Sequence, residues 1–124
     1  MGVSINQIGV DQTFSTNAWS GLTAVFVEDP LVFADVTVVA RRPSTNDVAV
    51  WQLKALYRKD GSDPVQLVGS VLDTITPQKT LGALLWDTRV SLNSDDYIYF
   101  EVKGASGSAV QWSIFGALTA QHPA

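Results

Sequence analysis

Residues 48–58 read V-A-V-W-Q-L-K-A-L-Y-R and run into the turn signal Lys59-Asp60-Gly61. The residues alternate, so an extended backbone puts Trp51, Leu53, Ala55 and Tyr57 on one face and Gln52, Lys54 and Arg58 on the other. This spacing predicts a half-buried β-strand, around which the rest of the chain is organised.

The same period recurs. Residues 22–28 form a regular strand stopped by Asp29-Pro30, and Pro30 opens the run Leu31-Val32-Phe33, whose burial the pattern leaves open. Residues 36–42 and 65–74 are rich in β-branched side chains. The turn clusters Pro43-Ser44-Thr45-Asn46-Asp47 and Gly61-Ser62-Asp63-Pro64 frame the strand at 48–58. Residues 84–92 put Leu84, Trp86, Thr88, Val90 and Leu92 on one face. Residues 97–103 set Ile98, Phe100 and Val102 against Tyr97, Tyr99, Glu101 and Lys103, and residues 110–119 set Val110, Trp112, Ile114 and Leu118 against Phe115. Residues 80–85 admit one turn of helix as an alternative, because periodicity over so short a stretch does not decide.

Strands at this spacing, with Gly, Pro, Asn and Asp between them and no long helical period, predict an all-β fold, an antiparallel β-sandwich. Jelly-roll-like and immunoglobulin-like strand orders both stay open. Residues 1–35 read as an amino-terminal arm and first strand and residues 36–124 as the sandwich body, together one domain. A chain of 124 residues can bury roughly two-thirds of its unfolded surface. Gly61, Gly69, Gly104 and Gly107 fall where a turn needs a positive φ or the backbone must come close. Trp51, Trp86 and Trp112 occupy inward positions of three strands and are expected to meet between the sheets.

Several chemistries are excluded or disfavoured by composition. Cysteine is absent, which rules out disulfides, thiolate metal sites and cysteine nucleophiles. Net charge is −4 with scattered basic residues, so nucleic acid is a poor partner. No apolar run approaches the ~20 residues that span a bilayer, and the amino terminus lacks the basic and apolar regions of a secretory signal. The expectation is a soluble, free-standing short protein with no membrane partner and no cofactor.

The one histidine, His122, lies beside Pro123 near the carboxyl end and reads as part of a frayed terminus. With neither a second His nor any Cys, no Ser-His-Asp triad, Cys-His pair or histidine metal site is available. Asp87, Asp95, Asp96 and Glu101 are candidates for a carboxylate pair of the glycosidase kind, but their turn or outward positions favour solvation. Asn93, Asp95 and Asp96 likewise read as a polar turn before a calcium loop. No catalytic or metal residues are therefore assigned. Trp19, Tyr97 and Tyr99 lie off the inferred core faces and are the candidates for stacking on a sugar ring, with cross-strand pairing at a sheet surface as the alternative.

Trp51, Arg58, Gly61, Leu67-Val68-Gly69, Trp86, Val102-Lys103-Gly104-Ala105 and Val110-Gln111-Trp112 form a spaced pattern. The pattern covers residues 47–120 and resembles a small β-module of tailed-bacteriophage virion proteins, found in fibres, tail components and head decorations. That resemblance implies a non-enzymatic structural protein of the virion, assembled in the host cytoplasm. A capsid decoration or cement protein is the first reading, with other virion proteins, chiefly the major capsid protein, as partners and with homo-oligomerisation. A carbohydrate-binding or host-recognition module of a tail or fibre is the alternative.

Outside the matched stretch, residues 1–19 carry Val3, Ile5, Ile8, Val10 and Phe14 among polar side chains. An extended arm can add to the edge of a neighbouring sheet and seat its alternate side chains there. These five residues are the candidate partner-binding set, and deleting the first fourteen residues is then expected to leave the body folded. The competing reading makes this segment an ordinary strand of the same domain.

Overall fold

The computed structural model describes residues 2–123, and within them the chain is built almost wholly of antiparallel strands. They are β1 (Val3–Phe14), β2 (Ser20–Phe26), β3 (Leu31–Arg42), β4 (Asp47–Arg58), β5 (Gln66–Asp73), β6 (Gln78–Lys79), β7 (Asp87–Ser91), β8 (Tyr97–Lys103) and β9 (Val110–Gln121). The large sheet has the order β1-β9-β3-β4-β5, with β6 pairing β4 beside β5, and the small sheet has the order β2-β8-β7. The two sheets pack face to face as a sandwich.

Of the two strand orders left open by the sequence, neither is reproduced in full. The nested pairing of β1 with β9 and of β2 with β8 is of the jelly-roll kind. Instead of continuing inward, β3, β4 and β5 then run as a meander within the large sheet. That meander places the organising strand β4 near the middle, between β3 and β5. Its Trp51, Leu53, Ala55 and Tyr57 are all buried, as an alternating strand with one wet face requires.

Strand β3 is longer than the sequence indicates. It begins at Leu31, and Val32, Ala34, Val36, Val38 and Ala40 point inward in unbroken alternation. Pro30 therefore opens the strand rather than interrupting it, consistent with its fixed φ and missing N–H at a strand start. A boundary at residue 35 falls inside β3.

Trp51 and Trp112 stack with ring centroids 5.6 Å apart, and Trp86 tilts against Trp112 at 6.2 Å. All three rings are buried. Trp86 does not belong to a strand, however. A 3₁₀ turn at Leu81–Ala83 precedes it, and β7 starts only at Asp87. Leu84 is exposed and does not share the face of Trp86. Lys79 holds this segment by donating from Nζ to the carbonyl oxygens of Leu84 at 3.2 Å and Trp86 at 2.5 Å.

Gly61, Gly69 and Gly107 have positive φ, and a side chain on Gly104 would press on the Trp112 ring. The more demanding glycine is Gly116, an inward position of β9 with φ of 151°. A Cβ there would collide with the Asp35 carbonyl oxygen and Val36 Cα of β3. Residue 116 must be glycine for β3 and β9 to approach in this register.

The Tyr57 hydroxyl is buried and has no hydrogen-bond partner among the described residues, and burial alone pushes its pKa well above the ordinary value. An unpartnered buried hydroxyl costs about 1–3 kcal/mol. Tyr57→Phe is therefore expected to raise stability by about 1 kcal/mol in urea denaturation, and a loss of similar size would show that the hydroxyl is satisfied in solution.

Candidate interaction surfaces

In an antiparallel sheet, directly paired residues point to the same face. The register aligns Ile5 with Thr119, Thr119 with Phe33, Phe33 with Leu56 and Leu56 with Val68. Since the neighbouring residues of each central strand face the core, this row crosses the outer face of the large sheet. Phe115 lies further along β9, paired with Gly9 and Thr37, and Leu72 pairs with Lys54. Ile5 is 64% exposed, Leu72 60% and Phe115 48%. Exposed apolar side chains thus recur on four strands of this face, interrupted by Thr119, Thr37 and Lys54, although single exposed apolar residues are ordinary. At its centre Asp35 and Lys54 form an open ion pair at 3.8 Å.

The edges of the two sheets differ. β5 carries a register shift near Gly69, β2 carries one between Gly21 and Thr23, and β7 is only 5 residues long. Bulges and shortness are ways of blunting an edge. β1 has neither: it pairs with β9 in continuous register from Val3 to Phe14, and its other side pairs with no strand among the described residues. Asp11 is its one charged residue, and it holds no proline.

This placement divides the five candidate partner-binding residues. Ile8, Val10 and Phe14 pack against the core, while Val3 and Ile5 face outward and exposed. The segment is thus an integral strand, as the competing reading has it, and not an arm free of the body. Alternation explains the split, because β1 has one face toward the core and one toward solvent.

The 3₁₀ turn carries a second apolar surface. Leu81 is 84% and Leu85 87% exposed, and with Leu84 and Trp86 they border a groove of about 510 Å³ that reaches Gly104 and Ala105. Asp47, at the start of β4, ties the β3–β4 hairpin to this turn. It accepts from Thr45 Oγ1 at 2.5 Å, from Arg42 Nη2 at 3.0 Å and from Thr80 Oγ1 at 2.9 Å. The Thr45 hydroxyl first, then Arg42 and Thr80, lower its pKa from the ordinary carboxylate value to about 2.

A carboxyl whose folded pKa lies below its unfolded one stabilises the fold above the unfolded value, and that contribution disappears as pH falls through the folded value. The window here runs from about pH 4 down to about pH 2. Melting temperatures of wild type and Asp47→Asn are expected to differ at pH 6 and to converge across that window; a gap that stays constant would show that Asp47 does not act through its charge.

On the outer face of the small sheet the sugar-stacking candidates separate. Trp19 is half-buried, with the Arg89 guanidinium 4.3 Å and the Lys103 ammonium 5.0 Å from its ring centroid. Cations already lie against this ring, in contacts that are themselves favourable. Arg89 also pairs with Glu101 at 2.9 Å, and the Ser91 hydroxyl and then Arg89 hold the Glu101 pKa below its usual range. Tyr99 donates its hydroxyl to Asp95, which raises the phenol's pKa. Tyr97 packs against Phe26 at 5.4 Å and against Tyr99 at 6.2 Å, with Phe26 and Tyr97 exposed. Tyr97 thus has a cross-strand partner in Phe26, which sequence reasoning missed and which pairs directly with it, whereas Tyr99 leans on Tyr97 of its own strand and on Asp95.

The candidate carboxylates have structural partners. Asp87 accepts from the Thr88 N–H at 2.8 Å, Asp95 from the Tyr97 N–H at 3.0 Å, and Asp96 pairs with Lys59 at 2.8 Å. Among the described residues there is no group of three or more His, Asp or Glu side chains placed to hold a metal ion. None of their helices is long and apolar enough to cross a membrane. His122 is not frayed: its backbone N–H donates to the Gly2 carbonyl at 2.8 Å and its ring Nδ1 lies 2.8 Å from Asp29. The pairing of β1 with β9 brings these distant segments together. Comparison with protein-family models finds no match to this chain, and a search of curated proteins finds no significant relative.

Proposed function

We propose that this chain is a non-enzymatic structural protein of a tailed-bacteriophage particle, a capsid decoration or cement protein that binds neighbouring virion subunits. The observation that carries this reading is the cluster of exposed apolar side chains, Ile5, Phe33, Leu72 and Phe115, on the outer face of the large sheet, bordered by the unblunted edge of β1. A face and an edge of this kind leave apolar side chains and backbone hydrogen-bonding groups to be covered by neighbours. The exposed leucines at Leu81–Ala83 and beyond add a further contact at one end of the sandwich. Virions purified from the phage whose genome carries this chain are expected to contain it in fixed ratio to the major capsid protein, and virions stripped of it to rebind the recombinant protein. Its absence from the particle contradicts the proposal.

One observation favours a second reading. The exposed pair Phe26 and Tyr97 offers an aromatic surface on which a saccharide of the host envelope could stack. Titration with host polysaccharide, followed by amide shifts confined to β2 and β8, would support this reading over the first.

A further inference from the structure

We infer that the outer face of the large sheet is a self-recognition surface on which two copies of this chain pack about a two-fold axis parallel to the strands, between β3 and β4. The inference rests on the assembly reading and names a partner and a surface for it. Three observations carry it.

The first is charge. The centre of the face holds one Asp35 and one Lys54, side by side on adjacent strands. The centre of this face is therefore neutral, although the chain as a whole carries −4. A two-fold axis between β3 and β4 exchanges the strands on its two sides. It places Asp35 opposite the partner's Lys54 and Lys54 opposite the partner's Asp35. Aligned sheets pack about 10 Å apart, a gap that a lysine and an aspartate reaching from opposite sides close.

The second is apolar matching. The same axis sets Phe33 opposite the partner's Leu56, and Val39 opposite the partner's Val50, because each pair shares a rung of the β3–β4 ladder. These two rungs meet apolar on apolar, the Asp35–Lys54 rung meets opposite charge and the Thr37–Gln52 rung polar on polar, while at the two ends the stems of Arg58 and Arg41 lie on Leu31 and Val48 of the other copy. The third is area. The axis overlaps β9, β3, β4 and β5 with the same four strands of the partner; at about 4.8 Å spacing and roughly ten residues deep they present about 630 Å², at the lower end of what one partner contributes to a stable interface. Packing in this way leaves the edge of β1 and the leucine turn free for other subunits.

Charge reversal provides the test. Asp35 and Lys54 are both about half exposed, so replacing either leaves the fold intact, which unchanged thermal melts would verify. By sedimentation velocity, wild type is expected to be a dimer, and Asp35→Lys alone and Lys54→Asp alone to bind themselves about a hundredfold more weakly, because each sets like charges face to face. An equal mixture of the two variants is expected to recover the dimer, since Asp35→Lys supplies two lysines against the two aspartates of Lys54→Asp. Monomeric wild type, or single variants that dimerise as wild type does, or a mixture that stays monomeric, overturns the inference. A monomeric chain that still binds virions defeats the two-fold face and leaves the proposed function standing; a dimer that binds none does the reverse.

Discussion

Trp112→Ala is expected to destabilise the fold by about 3 to 5 kcal/mol, the cost of emptying a large core site. Trp112 stacks on Trp51 and supports Trp86, so its removal strips contacts from both of the other rings. Its indole N–H has no partner among the described residues, and the lost energy is therefore that of packing and burial. Domain stabilities lie at about 5–15 kcal/mol, which makes this single change a large fraction of the whole. Trp112→Phe should cost less, since it keeps a ring in the stack. Equilibrium urea denaturation measures both, and a change below about 1 kcal/mol for Trp112→Ala would contradict a core built on these rings.

Deleting the first fourteen residues is expected to abolish the cooperative thermal transition. β1 pairs along its full length with β9, and Ile8, Val10 and Phe14 pack against the core. Without β1, strand β9 becomes an edge and its inward Val110, Trp112 and Ile114 lose their cover on one side. Seen from the sequence, the same deletion is expected to leave a folded body, because β1 lies outside the stretch that resembles the phage module. A truncated protein with an unchanged melting point would restore the arm reading and remove β1 from the core.

Alternation made most of the sandwich legible. In β4 and β8 every second residue is buried where the period requires it, in β9 all but the partly covered Gly116 are, and Tyr97–Lys103 forms a strand with the predicted ends. The stretch before β7 was less legible for a physical reason. Leu84 and Trp86 have the parity of a strand, but the backbone reaches them from a 3₁₀ turn at Leu81–Ala83 that is anchored by long-range bonds between Thr80 and Asp47 and Val48, and no local pattern reports such bonds. Gly116 escaped notice because its need for glycine comes from the approach of β3, a tertiary fact.

The exposed apolar residues of the large sheet are legible only in fragments. Phe115 is recognisably outward in the sequence, and Ile5 is recognisably apolar, but nothing local places them on one face with Phe33 and Val68. That juxtaposition needs the order β1-β9-β3-β4-β5, in which β9, from the far end of the chain, lies between β1 and β3. The aromatic row of the small sheet has the same origin. Tyr97 and Tyr99 announce themselves by alternation, whereas Phe26 joins them only through the β2–β8 register.

The measurement that tests the assembly reading most directly is hydroxyl-radical footprinting of the chain, once free at high dilution and once in the purified particle. Phe33, Leu72 and Phe115, on the outer face of the large sheet, should lose most of their labelling in the particle while Phe26 and Tyr97 keep theirs. Unchanged labelling at Phe33, Leu72 and Phe115, or protection confined to Phe26 and Tyr97, would contradict the account.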